Sequence, residues 1–364
     1  MINLNDINKV LDFYERLGDE ESKKIFMARW KFFNDHNRIN FMRAILELYS
    51  EWHIDDFSSY FERMNVSGEK KLVIYGYGEA GKTNKILLEK CGYKIDYIVD
   101  RNYRELSILD SDANVPICSP ERLFYDIDKP IVLISMADLA EERNILRTLR
   151  SLYGFPNENI YLPEIGGTIL GHRGNQYFDL PYLKREDEEI FVDGGCYDGS
   201  TTKYFHDWAG KNFKKSIAFE CDKRSIPVIR NNMKDLERDG KFFLIEKGLY
   251  SQKSELHFVE STLPTSSYIN NSGHVKVSVD SLDNVLEGEK ITFIKLDVQG
   301  AELEALKGAR ETICQYHPKL AISLYHKDTD LYEIPLWFME ATQGYKFYIR
   351  HYNTDECETV LYAI

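Results

Sequence analysis

The segment from Ile190 to Thr201 constrains the fold of this chain more than any other stretch. An apolar run, Ile190–Val192, stops at Asp193 and is followed by two glycines, a polar stretch and Gly199. Glycine lets the backbone turn sharply and lets a ligand approach where a Cβ would block it. The amino terminus of the next helix adds free amides and the positive end of the helix dipole. The segment therefore predicts a strand, a tight turn and a helix that bind a nucleotide or cofactor.

The spacing within this segment narrows the type of ligand. It is Asp193-x-Gly195-x-x-x-Gly199, which differs from the G-x-G-x-x-G fingerprint of dinucleotide-binding loops. An acid at the end of the strand suits a cationic or hydroxyl-rich ligand better than a pyrophosphate. A second apolar run, Phe293–Leu296, ends in the same way at Asp297. Together the two segments predict a site for S-adenosylmethionine.

The strand predicted next, Ile217–Phe219, ends at Glu220, whose carboxylate can accept hydrogen bonds from both hydroxyls of a ribose. Glu220 also fits a simpler role as an acid beside a helix amino terminus, and Leu249 also fits the core. The cofactor-binding residues that we predict are Asp193, Gly195, Cys196, Tyr197, Gly199, Ser200, Thr201, Glu220, Cys221, Asp222, Gly248 and Leu249.

Methyl transfer from a sulfonium group requires alignment of the nucleophile and removal of its proton. His326 follows an apolar strand and is suited to proton removal near neutral pH, although a surface or capping histidine is an alternative. Asp297 ends a strand and is equally suited to holding the methionine amino group. We predict His326, Asp297 and Glu302 as the catalytic residues. The three could in principle hold a magnesium ion, but their spacing is not that of a metal site, so we predict none.

The chain resembles the FkbM family of S-adenosylmethionine-dependent methyltransferases over about its last 180 residues. The resemblance rests on Val192–Gly199, Phe219-Glu220, Val279–Asp283 and Ile294–Glu302, and the family usually has a glutamate where Gln299 stands. It implies a class I methyltransferase fold. It also implies O-methylation, with the acceptor hydroxyl belonging to a glycan or a related polyhydroxylated metabolite.

The stretch from Gly76 to Thr83 satisfies two nucleotide-binding patterns at once. It contains G-x-G-x-x-G, and it contains G-x-x-x-x-G-K-[ST] through Lys82 and Thr83. A P-loop also needs an aspartate closing another strand, whereas Ile131–Ser135 closes with serine. The sequence therefore favours a Rossmann-like loop, either binding a nucleotide or only packing. The residues of this possible second nucleotide site are Gly76, Gly78, Gly81 and Asp100.

Two alternative functions depend on this second loop. The protein could be a nicotinamide-dependent oxidoreductase, although no hydride-relay motif is evident near the loop. It could also be a nucleotide-sugar-binding protein with a non-catalytic scaffold. The presence of both Asp193 and Glu220 favours a catalytic carboxyl-terminal half instead.

The order of apolar runs predicts an α/β protein with two Rossmann-like doubly wound domains. The last two strands are joined by a short turn, which predicts an antiparallel last strand. The predicted boundaries are a helical segment at 1–66, a Rossmann-like domain at 67–165, a linker at 166–188 and the methyltransferase domain at 189–364. The amino-terminal helices offer a surface for homo-oligomerisation.

Composition excludes several classes of partner and compartment. A net charge of −13 disfavours nucleic acid and anionic membranes as ligands. The six cysteines are scattered without a C-x-x-C pair, which favours a reducing compartment such as the cytoplasm and disfavours structural zinc. We expect no signal peptide at the amino terminus and no membrane span.

Overall fold

The computed structural model describes residues 4–109, 114–163, 166–261, 267–270, 272–286 and 288–364. The chain divides into two compact units. The larger unit consists of residues 1–34, 174–352 and 357–364, and the smaller unit consists of residues 35–173 and 353–356. The predicted segments 1–66 and 166–188 are therefore each divided between the two units.

Two helices begin the chain: α1 (Leu4–Glu15) and α2 (Glu20–Asp35). Asp19 caps α2 by accepting a hydrogen bond from the Ser22 N–H at 2.8 Å. Arg350, near the end of the chain, donates to the same carboxylate at 2.6 Å. The Phe13 and Phe347 rings lie 5.1 Å apart. These contacts join the first helices to the last strands within the larger unit, and oligomerisation through them stays a prediction.

The smaller unit is an α/β structure with a parallel sheet, as predicted. Its sheet has the order β3-β2-β1-β4-β5, and all four pairings are parallel. The strands Leu72–Tyr75, Tyr97–Val99 and Ile131–Ile134 lie within the predicted apolar runs, because such runs form strands that are buried on both faces. The apolar runs do not predict the two-residue strands Ile117–Cys118 and Ile160–Tyr161, which are less completely buried. In chain order, its elements are α3 (Arg38–Leu48), α4 (Asp55–Met64), β1 (Leu72–Tyr75), α5 (Glu79–Lys90), β2 (Tyr97–Val99), α6 (Tyr103–Leu109), β3 (Ile117–Cys118), α7 (Arg122–Tyr125), β4 (Ile131–Ile134), α8 (Leu139–Arg147), a π-helical turn (Thr148–Leu152), a 3₁₀ turn (Asn157–Asn159) and β5 (Ile160–Tyr161).

The remainder of the larger unit alternates strands and helices. Among the described residues no helix is both long enough and apolar enough to cross a membrane. In chain order, the elements of this part of the larger unit are β6 (Glu189–Gly194), α9 (Ser200–Ala209), a 3₁₀ turn (Gly210–Asn212), β7 (Phe213–Phe219), α10 (Ile226–Arg238), β8 (Phe242–Ile245), β9 (Gly248–Leu249), β10 (Ser254–Val259), β11 (Tyr268–Ile269), β12 (Val275–Asp280), α11 (Leu282–Leu286), β13 (Phe293–Leu296), α12 (Glu302–Lys307), α13 (Arg310–Tyr316), β14 (Lys319–Ser323), α14 (Asp330–Ala341), β15 (Phe347–His351) and β16 (Thr359–Ala363).

The main sheet of the larger unit has the order β8-β7-β6-β13-β14-β16-β15. The first five of these strands are parallel, and β16 is antiparallel to both β14 and β15. Because β16 inserts between β14 and β15, the sheet ends in a reversed hairpin. This topology confirms the predicted class I methyltransferase fold with its antiparallel last strand.

The strand order places a cleft at one edge of the main sheet. The chain leaves β6 toward β7 on one side and later returns to β13 on the other side. Ligands of doubly wound folds bind at this reversal, beyond the carboxyl ends of the strands. A smaller sheet, with the order β11-β10-β12-β9, begins at Gly248 directly after the main-sheet strand β8. These two features place the expected ligand site at the carboxyl ends of the main-sheet strands, next to the smaller sheet.

Candidate active site

A cavity of about 250 Å³ opens at the carboxyl ends of β6, β7 and β13. Most of the predicted cofactor-binding residues line it, whereas Asp193 and Gly199 are not on its wall. The predicted residues on the wall are Gly195, Cys196, Tyr197, Ser200, Thr201, Glu220, Cys221, Asp222, Gly248 and Leu249. The structure thus brings together residues from three separate strand ends.

The turn after β6 is held closely between the neighbouring strands. Gly195 has φ +77°, and its N–H donates to the Phe219 carbonyl at 3.0 Å. A Cβ at Gly195 would overlap the carbonyl oxygen of Asp297, so only glycine fits there. Gly199 has φ +83° and lies against Met233, which gives it a conformational and packing role beneath the loop.

Tyr197 sits at the tip of this loop in an unusual backbone conformation. Its φ is +50°, in the left-handed region that few residues other than glycine adopt. Its N–H donates to the Glu220 carboxylate at 3.0 Å, which holds the loop against the end of β7. The ring is 43% exposed and lines the cavity. Strained residues of this kind cluster at binding sites.

Asp193 lies beneath the cavity instead of on its wall. Its carboxylate is fully buried, forms an ion pair with Lys295 at 3.1 Å and accepts a hydrogen bond from the Thr202 hydroxyl at 2.9 Å. The Lys295 ammonium also donates to the Gly195 carbonyl at 2.8 Å. Burial by itself would lower the pKa of Lys295, but Asp193 and Asp297 outweigh it and raise that pKa. The buried pair therefore supports the glycine loop from below.

Glu220 ends β7 and bridges two parts of the cavity wall. Its carboxylate accepts hydrogen bonds from the N–H groups of Tyr197 at 3.0 Å and Asp222 at 2.8 Å. A carboxylate has about four acceptor positions, so about two remain for a ligand. Burial raises the pKa of Glu220 above its ordinary value despite these hydrogen bonds. Asp222 in turn is held by Arg224 at 2.6 Å.

The three predicted catalytic residues lie side by side. The His326 ring meets Glu302 at 2.8 Å from Nδ1 and Asp297 at 3.4 Å from Nε2. Tyr177 donates its hydroxyl to the other oxygen of Asp297 at 2.9 Å. Asp297 lines the cavity, whereas His326 and Glu302 lie behind it. The result is a chain of acid–base groups that runs from the cavity wall into the protein.

His326 is held in an environment that favours its charged form. Burial acts to lower its pKa, but the charge and hydrogen bond of Glu302, with the charges of Asp297 and Asp330, raise the pKa to about 9. Burial raises the pKa of Asp330 to about 7. Within the described part of the chain, Nε2 of His326 has no hydrogen-bond partner. In the neutral ring this nitrogen can take a proton from the direction of the cavity, whereas in the charged ring it already carries one.

The sequence model of the methyltransferase FkbM domain matches residues 193–347. These residues form an FkbM methyltransferase domain. The match includes the loop after β6, the strand end at Glu220 and the Asp297–His326 pair. The protein is an S-adenosylmethionine-dependent methyltransferase. No curated protein matches the sequence.

Three solved structures to which this chain is similar are distant from it in sequence. A methyltransferase FkbM from Methylobacillus flagellatus KT is 18% identical, with 91% of this chain and 99% of that chain covered and a TM-score of 0.47. Fibrillarin from Aeropyrum pernix, with natively bound S-adenosylmethionine, is 13% identical over 51% of this chain and 71% of its own, with a TM-score of 0.34. TrmK from M. capricolum, with S-adenosylhomocysteine, is 11% identical over 49% and 63%, with a TM-score of 0.29.

The cavity has hydrogen-bond acceptors, negative charge and apolar surface of the kinds that S-adenosylmethionine requires. Glu220 offers carboxylate oxygens for the ribose hydroxyls. Leu249, Phe258 and Ile269 provide apolar surface on the same wall, where a flat adenine can lie. Asp297 and Glu220 offer negative charge to a cationic sulfonium and an amino group. The residues that line the cavity therefore fit S-adenosylmethionine.

The sequence did not predict part of the cavity wall. Tyr177, Gln176 and Tyr325 line the cavity together with Glu358. Gln176 donates its amide to Glu358, and the Tyr325 hydroxyl lies 3.5 Å from the same carboxylate. Tyr177 and Gln176 come from a stretch predicted to be a linker, and Glu358 comes from the turn before the last strand. Only the aromatic residues of that linker could have signalled a site.

Gln299 occupies the position where the family usually has glutamate. It lines the cavity in a left-handed conformation, with φ +53°, and is followed by Gly300 at φ +90°. The strained turn places Gln299 beside Asp297 and Val298 at the end of β13. A neutral amide here removes one negative charge from a wall that already carries Asp297 and Glu220.

Asp297, Glu302 and His326 also satisfy the distances of a metal site, because one ligand atom from each lies within 4.8 Å of the others. The two carboxylates, however, face opposite nitrogens of the ring. Glu302 is engaged by Nδ1, and its same oxygen accepts the Val298 N–H at 2.8 Å. This arrangement suits a hydrogen-bonded chain better than three ligands around one ion. The prediction of no metal stays a prediction.

The possible second nucleotide site lies in the smaller unit. Gly76, Gly78 and Asp100 line a separate cavity there, and Gly81 does not. A Cβ at Gly81 would overlap the carbonyl oxygen of Gly76, so its role is close packing of α5 against the loop. The two predicted loops therefore serve two distinct cavities.

Proposed function

We propose that the protein transfers the methyl group of S-adenosylmethionine to a hydroxyl oxygen of a glycan or related polyhydroxylated acceptor. The observation that carries the proposal is the Asp297–His326–Glu302 chain, which begins on the cavity wall. A hydroxyl must lose its proton when its oxygen is methylated, and such a chain can accept one. The polar wall of Gln176, Tyr325 and Glu358 suits an acceptor with several hydroxyls.

Each residue of the Asp297–His326–Glu302 hydrogen-bonded chain has a distinct role in this proposal. When bound, S-adenosylmethionine would supply a methyl carbon that the acceptor oxygen attacks in line with the C–S bond, so that S-adenosylhomocysteine leaves as the neutral thioether. Asp297 accepts the Tyr177 hydroxyl at one oxygen and faces Nε2 of His326 with the other, and in this position on the cavity wall it orients the acceptor hydroxyl. His326 takes the proton at Nε2. Glu302 accepts a hydrogen bond from Nδ1–H and so keeps Nε2 unprotonated in the neutral ring.

The acceptor class is tested with the full chain and isotopically labelled S-adenosylmethionine. Glycans with free hydroxyls are compared with the same glycans fully O-methylated, and EDTA is present because the proposed base needs no metal ion. We expect label to enter ether oxygens of the free glycans only, as read by mass spectrometry. Transfer solely to nitrogen or carbon acceptors would contradict the proposal, as would activity that disappears with EDTA.

The cofactor contact of Glu220 is tested by substitution. We expect Glu220→Ala to weaken S-adenosylhomocysteine binding by roughly 1.5–3 kcal/mol, because a charged hydrogen-bond acceptor is lost. Calorimetric titration measures the change. Glu246→Ala is the matched control, since Glu246 follows the adjacent strand β8 but is 52% exposed and paired with Arg230. An unchanged dissociation constant in Glu220→Ala would remove the ribose role.

A further inference from the structure

A second cavity, of about 470 Å³, lies entirely within the smaller unit. It opens at the carboxyl ends of β1, β2 and β4, which contribute Gly76, Asp100 and Ser135 to its wall. The strand order β3-β2-β1-β4-β5 reverses between β1 and β4. The cavity therefore occupies the reversal point at which doubly wound sheets bind ligands. The FkbM domain does not include this part of the chain.

Glycine is present at three positions of the loop, and the structural reason for it differs from one position to the next. Gly76 has φ +93° and lies against Ser135, so the backbone itself demands glycine. Gly81 is required by packing against Gly76. Gly78 has φ −71°, which any residue adopts, and a Cβ there would meet nothing within 4 Å. Gly78 is the N-cap of α5, a position that glycine commonly occupies, and its missing side chain also leaves the space beside the loop open for a ligand.

Asp100 repeats the arrangement of Glu220 in the other unit. It follows β2 and accepts hydrogen bonds from the N–H groups of Tyr77 at 2.8 Å and Asn102 at 2.7 Å. Glu220 likewise accepts one amide from its glycine loop and one from the residue two positions onward. In both cases the carboxylate retains positions for the two hydroxyls of a ribose. The repetition indicates the same kind of ligand group at each site.

The other end of the cavity suits phosphate. Helix α5 begins there after Gly78, and no side chain of the described residues caps it. Its first amides and dipole end therefore face the cavity. Glu79, in the first turn, is turned to Arg43 at 2.7 Å, which offsets its charge. Arg101 also lies on the wall, is 72% exposed and pairs with Glu141 at 2.7 Å, so a cationic side chain faces the cavity beside that carboxylate.

A triphosphate held as in P-loop enzymes does not fit this geometry. Thr83, which would have to reach a magnesium ion, is fully buried and donates its hydroxyl to the Glu79 carbonyl at 2.9 Å. Lys82 extends over the Tyr77 ring, 5.8 Å from its centre. We propose that the smaller unit binds a nucleotide with a ribose and a diphosphate, as in a dinucleotide or a nucleotide sugar. Asp100 holds the ribose, and the diphosphate lies between Gly78 and the start of α5.

The test uses the full chain with the methyltransferase cavity saturated by S-adenosylhomocysteine. NAD, UDP-glucose, ADP and inorganic pyrophosphate are titrated by calorimetry, and the first two distinguish a dinucleotide from a nucleotide sugar. We expect at least one of the nucleotides to bind. Gly78→Ala should weaken that binding about 5–150-fold, since a methyl group is forced into a packed contact. The melting temperature and the S-adenosylhomocysteine affinity should not change.

Two further variants test which residues contact the ribose and the diphosphate of the ligand. Asp100→Asn should weaken binding of the nucleotide while leaving inorganic pyrophosphate unaffected. Lys82→Ala should leave both unaffected, whereas a P-loop would lose its ligand. The proposal is overturned if no nucleotide binds, or if Gly78→Ala binds it as tightly as the original chain. Because S-adenosylhomocysteine binding is measured in the same samples, either result is independent of the proposed methyl transfer.

Discussion

Replacement of His326 with alanine is expected to lower the rate of methyl transfer by about 10²–10⁴-fold, the usual contribution of a positioned base. The side chain is only 10% exposed and lies 3.4 Å from Asp297, which lines the cavity. Because His326 is not itself on the cavity wall, the affinity for S-adenosylmethionine should be nearly unchanged. Single-turnover rates with labelled cofactor, together with calorimetric affinities, measure the two effects separately.

His206→Ala is the matched control for this prediction. His206 belongs to α9 of the same unit, is 43% exposed and meets only Asp207 among the described ion pairs. Its replacement should leave the rate unchanged. Normal turnover in His326→Ala across the whole pH range would remove His326 from the mechanism and leave Asp297 as the group that handles the proton.

The pH dependence of the rate provides a second readout of the same prediction. His326 accepts a proton only as the neutral ring, and its pKa is raised to about 9. The rate should therefore rise with pH, reach half of its maximum near pH 9 and level off above that pH. Glu302→Gln removes the charge that contributes most to raising that pKa, so the plateau should begin at lower pH. A purely structural role for Glu302 would reduce the rate without moving the profile.

The second large effect concerns stability. Asp193→Asn is expected to destabilise the larger unit by about 3–5 kcal/mol, because it leaves the buried Lys295 ammonium without its partner. Both side chains are almost completely buried, at 0% and 2% exposure. The denaturation midpoint of the transition that S-adenosylhomocysteine stabilises is the measurement. Because the chain has two units that can unfold separately, stabilisation by S-adenosylhomocysteine identifies which transition is the unfolding of the larger unit.

Two comparisons make this prediction specific. Asp207→Asn changes an aspartate that is 80% exposed and should shift stability by no more than about 0.5 kcal/mol. The double variant Asp193→Asn with Lys295→Met should be less destabilised than the sum of its single variants, since neither charge is left alone. If Asp193→Asn were as stable as the original chain, the ion pair would not support the loop.

Local sequence patterns were sufficient for much of the fold. The predicted strand Ile131–Ser135 forms β4, which ends one residue earlier at Ile134, and the loop after β6 turns where its glycines stand. Both depend on neighbours in sequence: a continuous apolar run buries on two faces, and glycine permits the left-handed turn. The short connection before the last strand likewise predicted the antiparallel hairpin of β15 and β16.

The position of Asp193 relative to the cavity could not be read in the same way. The sequence shows an acid at the end of a strand, but β6 continues through Gly194, so Asp193 is still inside the sheet. In the register of β6 and β13 it lies opposite Lys295. The pairing of residues so distant in the chain exists only once the strands are aligned. The same applies to Tyr177, which reaches Asp297 from a stretch without strand or helix pattern.

The sequence by itself determined the class of fold, the glycine loops and the residue types needed for methyl transfer, because these follow from short-range patterns of burial and backbone freedom. Tertiary structure alone decided which carboxylates face the cavity. Glu220 and Asp297 line it, whereas Asp193 is paired below it and Glu302 is placed behind His326. The physical reason is that a buried charge is stable only beside its partner, and that partner is chosen by strand register and packing.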